Sequence, residues 1–294
     1  MTVAIPLFMV ALLAPQINAQ TPIEWEKVDR ALGRSGTLQG QTYRVGFPRN
    51  DLHVTVGAVT VRPALALGSW VAFTETGDST AMLMGDLVLL PAEVGPVIDA
   101  LQSGGVTQTA LHNHLAGEAP HIVYLHIGGR GRPEALATAV HTALTRTRTP
   151  LGAPAPAATP APALELDTLQ IAQTLGAHGK VNGGVYQVSV PRSEAVMVDS
   201  VTLPPAMGVA TAINFQATGA GRAAATGDFV LIASEVNPVI RALRASGIAV
   251  TALHSHLLDE TPRLLFMHFW GAGDAVQLAK GLRAALDVMN IKRP

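Results

Sequence analysis

Two short stretches of this chain carry the residue types that hold transition metals. His112-Asn113-His114 is followed by Glu118 and, eight residues beyond the glutamate, by His126; His254-Ser255-His256 is followed by Glu260 and His268 at the same distances. Three imidazoles and a carboxylate form a donor set suited to Zn(II), Fe(II), Mn(II) or Cu(II). With the glutamate left off the metal, it can serve as general base toward a metal-activated water, which makes Glu118 and Glu260 the candidate catalytic residues. His121 in the first stretch is answered by Arg263 in the second. His121 could add a nitrogen ligand or orient one, and Arg263 could pair with a carboxylate or an anionic ligand. A solvated loop edge is the plainer reading of both.

The bland alternative for the six histidines is packing or hydrogen bonding. Burying two polar rings on one face of an apolar strand without partners costs free energy, which favours the ligand reading. Other polar residues shared by the two stretches have structural readings. Asp86 and Asp228 each follow a glycine at a strand start, as turn caps do. Glu93 and Glu235 fall in a first helical turn, where negative charge meets the helix dipole. Arg49 and Arg192 follow a proline at a strand end and read as a solvated edge. His-x-His-x3-Glu also resembles the first motif of cupins, but no second cupin motif follows, so the spacing reads as convergent.

The elements that must position these residues come in two copies. Residues 85 to 126 align with 227 to 268 without a gap, and 21 of the 42 positions are identical. Each copy opens with a short amphipathic helix, Trp25 to Leu32 or Leu166 to Leu175, stopped by Gly33 or Gly176. Three strand-like runs follow, and then a fourth, Gly85 to Leu90 or Gly227 to Ile232, leads into a helix, Ala92 to Gln102 or Ser234 to Arg244. After Gly105 or Gly247 come the two strands that carry the histidines, Val106 to Leu115 and Ile122 to Ile127, or Ile248 to Leu257 and Leu264 to Trp270. A last helix, Pro133 to Leu144 or Asp274 to Met289, closes each copy. Strand alternation predicts both histidines of each pair on one sheet face, with the third brought across by the next strand.

The expected fold is therefore α+β: a tandem duplication of an α-β-β-β-β-α-β-β-α unit, with a mostly antiparallel sheet covered by helices. Residues 22–146 form the first repeat and 164–294 the second, joined by a Pro/Ala-rich linker at 147–163 that favours extended polyproline geometry. How the two repeats pack is left open.

Composition narrows the function classes. Lys plus Arg, at 20, nearly balance Asp plus Glu, at 21, so the basic field that a nucleic-acid backbone requires is missing. With no cysteine, disulfides, thiol catalysis and thiolate metal sites are excluded. The apolar run Val3 to Ala14, followed by Ile17-Asn18-Ala19, reads as a signal peptide over residues 1–19, cut after Ala19. No later run is long enough to cross a membrane, so a periplasmic or secreted protein is expected.

The phrases Thr109-Ala110-Leu111-His112-Asn113-His114 and Pro262-Arg263-Leu264-Leu265-Phe266-Met267-His268-Phe269-Trp270-Gly271 resemble the bacterial family of unknown function that includes the mycobacterial lipoproteins LppY and LpqO. The resemblance spans nearly all of the mature chain and implies export, without supplying a reaction. Because this chain has no cysteine to lipidate, membrane anchoring is not carried over. Two functions are in view. One is an exported divalent-metal-binding protein, each repeat holding one site of three histidines and a glutamate, extending to a metal-dependent enzyme that uses activated water. The other is a non-catalytic envelope module that binds a cell-wall or small-molecule ligand, its histidines structural.

Overall fold

The short helix that opens each repeat stops where a glycine takes up left-handed backbone, Gly33 at φ 73° and Gly176 at φ 66°. The computed structural model describes residues 23–77, 79–152 and 164–292. The signal-peptide reading of residues 1–19 and most of the Pro/Ala tract lie outside the described residues.

The first repeat runs α1 (Trp25–Leu32), β1 (Thr37–Gln39), β2 (Thr42–Pro48), β3 (Thr55–Val56), β4 (Val59–Thr60), α2 (Pro63–Ala66), β5 (Gly68–Gly77), β6 (Thr80–Leu89), α3 (Pro91–Ser103), β7 (Thr107–His112), β8 (Glu118–Ala119), β9 (Val123–Gly131) and α4 (Pro133–Leu144). The second runs α5 (Thr168–Leu175), β10 (Gly179–Asn182), β11 (Val185–Pro191), β12 (Met197–Val198), β13 (Val201–Thr202), β14 (Ala210–Gly219), β15 (Arg222–Leu231), α6 (Val236–Ala245), β16 (Ala249–His254), β17 (Leu265–Asp274) and α7 (Ala275–Leu286). Each repeat builds a six-stranded antiparallel sheet, in the orders β1-β2-β5-β6-β9-β7 and β10-β11-β14-β15-β17-β16. The expected α+β duplication is what forms. The second of the three strand-like runs expected after the opening helix of each repeat forms instead a short hairpin, β3-β4 or β12-β13, followed by a helical turn.

Strand period two assigns the faces. Val45, Val71, Leu83, Leu87, Leu125 and Ile127 point to one side, where they pack with Val28, Leu32, Val97 and Val140 of the helices. The second repeat repeats this with Val188, Ile213, Phe229, Met267 and Phe269 against α5, α6 and α7. The other face of each sheet is covered by the other repeat. Ala72, Met82 and Met84 pack with Val196, Leu203, Met207 and Phe266, while Val61, Leu65, Val88 and Tyr124 pack with Val185 and Ala224. Each hairpin-and-turn excursion reaches across to its neighbour: Gln216 binds the backbone of Thr60 and Arg62, Gln187 that of Ala64, and Arg44 donates to the Ala206 carbonyl of the second excursion. The faces that carry the histidines are thus buried between the repeats.

Two residue pairs read as solvated or dipole-facing are buried clamps. Arg49 donates to Glu93 at 2.7 Å and to the Val88 carbonyl, and Arg192 donates to Glu235 at 2.6 Å and to the Val230 carbonyl. Each glutamate also accepts from the backbone N–H of the residue where its helix begins, Leu90 or Ile232. The clamp therefore ties strand, helix start and sheet together, and the arginine is not at a solvated edge.

Candidate metal centre

The histidines of each repeat arrive from three positions. His112 and His254 end β7 and β16, where they stand opposite Tyr124 and Phe266. His126 and His268 lie inside β9 and β17, directly opposite Asp86 and Asp228 on β6 and β15. His114 and His256 lie past the strand ends, so strand alternation does not position them. Aromatic stacking does: His114 lies 3.4 Å from Tyr124 and His256 lies 3.6 Å from Phe266, centroid to centroid.

The two triads meet. His112 and His254 stack at 3.4 Å, His114 and His268 at 3.8 Å, and His126 and His256 at 3.6 Å, all across the repeat boundary. Within the first triad the separations from His112 are longer, 5.0 Å to His114 and 4.9 Å to His126. Sequence reasoning places one site in each repeat; the structure merges them into a single six-histidine cluster between the sheets. Two sets of ring nitrogens converge within 4.8 Å: His112, His254, His256 and His268, and His112, His114 and His126. His112 belongs to both.

The ring chemistry leaves one nitrogen of each histidine available. His112 Nδ1–H donates to the Asn113 carbonyl, His254 Nδ1–H to the Ser255 carbonyl and His268 Nδ1–H to the Gly227 carbonyl. That fixes the proton on Nδ1 and leaves Nε2 with a free lone pair. All six Nε2 atoms are buried and have no hydrogen-bond partner among the described residues. Leaving such groups unpaired costs about 1–3 kcal/mol each, an unusual concentration for one site. Burial and crowding with other imidazoles also keep the rings neutral, with His112 lowered to about 3, chiefly by desolvation and then by His254, and His254 lowered to about 4. Neutral imidazole is the ligating form.

Asp86 and Asp228, read as turn caps, are the carboxylates of this cluster. Asp86 stands 3.6 Å from His114 Nε2 and 3.7 Å from His126 Nε2, and Asp228 stands 3.5 Å from His256 Nε2. These separations are too long for hydrogen bonds. Two donors each about 2.1 Å from one ion at tetrahedral angles are roughly 3.4 Å apart, so the gaps have the size of a shared cation. Burial raises the Asp86 pKa to about 8, partly offset by Arg44, and raises that of Asp228 strongly. The preceding glycine has a packing cause: a Cβ on Gly227 would lie 1.9 Å from the Ala212 carbonyl oxygen, and one on Gly85 2.8 Å from that of Trp70.

Glu118 and Glu260 belong to neither convergent set. Their carboxylates are nearly inaccessible, 2% and 0% exposed, and accept from the backbone N–H of Ile122 and Leu264. They fasten the loop that carries His114 or His256 to the strand that follows. His121 and Arg263 lie at the surface, 62% and 56% exposed, each on its own glutamate, at 2.7 and 3.3 Å. The loop itself contains cis peptides at Ala119-Pro120 and Thr261-Pro262.

A cavity of about 750 Å³ opens beside the cluster, with Asp86, His114, His126, Asp228, His256 and His268 in its wall. Among the described residues no helix is long and apolar enough to cross a membrane.

The profile of one family matches residues 26–146 and again 169–288. The chain belongs to the family described as Domain of Unknown Function (DUF1259). Both matched segments contain a full histidine triad, its aspartate and its Arg–Glu clamp. No protein of curated function matches the chain. Two solved structures are similar in outline: the trimeric bacterial microcompartment shell protein PduB, at 13% identity and a TM-score of 0.24, covering 87% of this chain and 89% of that one, and EtuB from Clostridium kluyveri, at 14% identity and 0.20, covering 86% and 90%. At those TM-scores the likeness carries no argument about assembly or role.

Proposed function

We propose that this protein binds divalent transition metal at one composite centre to which both repeats contribute. The observation that carries the reading is the convergence of six buried, neutral imidazoles whose Nε2 atoms have no partner among the described residues. A donor set dominated by imidazole favours Zn(II) or Cu(II) over Mn(II), and Asp86 and Asp228 supply oxygen donors at ion-sized gaps. The two convergent sets sharing His112 accommodate one ion or two close ones.

The cavity wall formed by these residues supports an active role. A metal with an open position lowers the pKa of bound water toward neutrality, and a hydrolytic activity is the chemistry that follows. Export to the periplasm or medium is part of the same proposal, supported by the N-terminal apolar run and Ala19. The His–His and His–aromatic stacks give the structural alternative its one specific support. Metal analysis of untagged protein separates the two. The centre predicts at least one equivalent of Zn(II) or Cu(II) after reconstitution and dialysis, lost in the double variant His112→Ala/His254→Ala. Less than about half an equivalent, or retention in that variant, refutes it.

A further inference from the structure

The two repeats differ where they line the cavity. Arg44 lies on the inner face of β2, with its guanidinium carbon 3.6 Å from the centre of the Trp70 ring. Trp70 stands opposite Asp86 in the sheet register and is pressed by Gly208 of the other repeat, where a Cβ would come within 2.7 Å of the ring. In the second repeat Gln187 takes the place of Arg44, and Ala212 takes the place of Trp70 opposite Asp228. The duplicated frame thus carries an Arg–Trp platform on one side and, at the equivalent positions of the other, only an amide and a methyl group.

Arg44 is a partly buried cation whose charge Asp86, in the same cavity wall, offsets through space without touching it. Its Nη1 donates to the Ala206 carbonyl at 2.9 Å, and it forms no ion pair among the described residues. Burial lowers its pKa to about 10, with Asp86 acting the other way, so it stays charged at neutral pH. A guanidinium stacked on an indole is held flat, with its remaining N–H groups aimed along the plane, which suits bidentate recognition of an oxyanion. It shares the 750 Å³ cavity with the histidine cluster, and Lys180 adds a second cationic side chain to the same wall. That volume lies within the range of small-molecule sites.

We infer that the cavity binds a small oxyanion, a carboxylate or phosphate, with Arg44 on its Trp70 platform as the charge partner that sets specificity. The ligand's second anchor rests on the metal-centre reading; the charge partner does not. Because only the first repeat supplies the guanidinium–indole platform, while Lys180 of the second adds a cation without such a support, the anionic end of the ligand is placed toward Arg44.

The test is calorimetric titration of the full untagged chain with inorganic phosphate, succinate and the neutral succinamide, with metal content measured on the same samples. Phosphate or succinate is expected to bind wild type at least tenfold more tightly than succinamide. Arg44→Gln, which copies the second repeat, should weaken the anion at least tenfold, and Arg44→Lys should fall between. Should Arg44→Gln fail to fold, Arg44→Lys and the preference over succinamide still decide. Absence of anion binding at millimolar concentrations, or equal binding by wild type and the Arg44 variants, overturns the inference whatever the metal content. Arg44-dependent binding by protein that takes up no metal upholds it and refutes the metal centre instead.

Discussion

The two repeats agree along the surface where they meet and part company along the cavity beside it. At the meeting line both keep three histidines and an aspartate after glycine, and away from it each keeps a buried Arg–Glu clamp of its own. Beside the meeting line, Arg44 is replaced by Gln187 and Trp70 by Ala212 at the equivalent positions. A duplicated frame that only needed to pack would not have to keep six imidazoles in register with their Nε2 atoms unpartnered. A frame that only held two symmetric ions would not need an unpaired arginine on one side. The difference separates a centre built jointly from a pocket built asymmetrically.

Acid is expected to have the largest effect on the buried histidine cluster. Each imidazole of the metal-free cluster has its folded pKa pushed below the ordinary value of 6.5, so the folded form holds fewer protons than the unfolded chain. Their contribution to stability is present above 6.5 and is lost as pH falls toward the folded values, about 3 for His112 and about 4 for His254. Asp86, raised to about 8, acts in the opposite sense between its unfolded value of 3.8 and 8, as does Asp228, but two carboxyls face six rings. The melting temperature of metal-free protein should therefore fall steadily from pH 7 to pH 5, and the fall should be shallower in His112→Ala/His254→Ala. A flat profile breaks the argument that the rings are buried together.

Cutting one clamp tests whether the repeats stand or fall together. Arg192→Ala leaves Glu235 buried without its partner and should cost about 3–5 kcal/mol in urea unfolding, and Arg49→Ala should match it against Glu93. Equal losses in one shared transition are expected because each sheet covers the other.

The loop glutamates come next. Glu260→Ala strips the acceptor from the buried Leu264 N–H and should cost about 1–3 kcal/mol while weakening metal uptake through His256. An activity lost without any change in stability or metal content would instead restore the glutamate as a base. The smallest effect is expected from Tyr124→Phe, which copies Phe266, keeps the stack on His114 and removes only the hydrogen bond to the Ala66 carbonyl, for roughly 1 kcal/mol or less in unfolding experiments.

Much of this arrangement is legible in the sequence because duplication acts as an internal control. Glycine stops, period-two strands and amphipathic helices predict the α+β unit, and the recurrence of His112, His114 and His126 as His254, His256 and His268 selects the six residues that converge. The rest depends on contacts distant along the chain. The Arg49 partner Glu93 is 44 residues away, so a buried clamp looks like a charged strand edge. Asp86 follows a glycine for reasons of strand packing, and the pair imitates a turn. Nothing local records that His112 will face His254, because the covering of one sheet by the other leaves no periodic signal beyond inner faces that are apolar except at the site.

The most direct test of a jointly built centre is anomalous diffraction from crystals of the full chain reconstituted with Zn(II), measured at the zinc edge. Density is expected between the sheets, about 2.0 to 2.2 Å from Nε2 atoms of both repeats, with His112 among the ligands. Two separate ions each bound by one repeat alone, or no ion at the cluster, would contradict it.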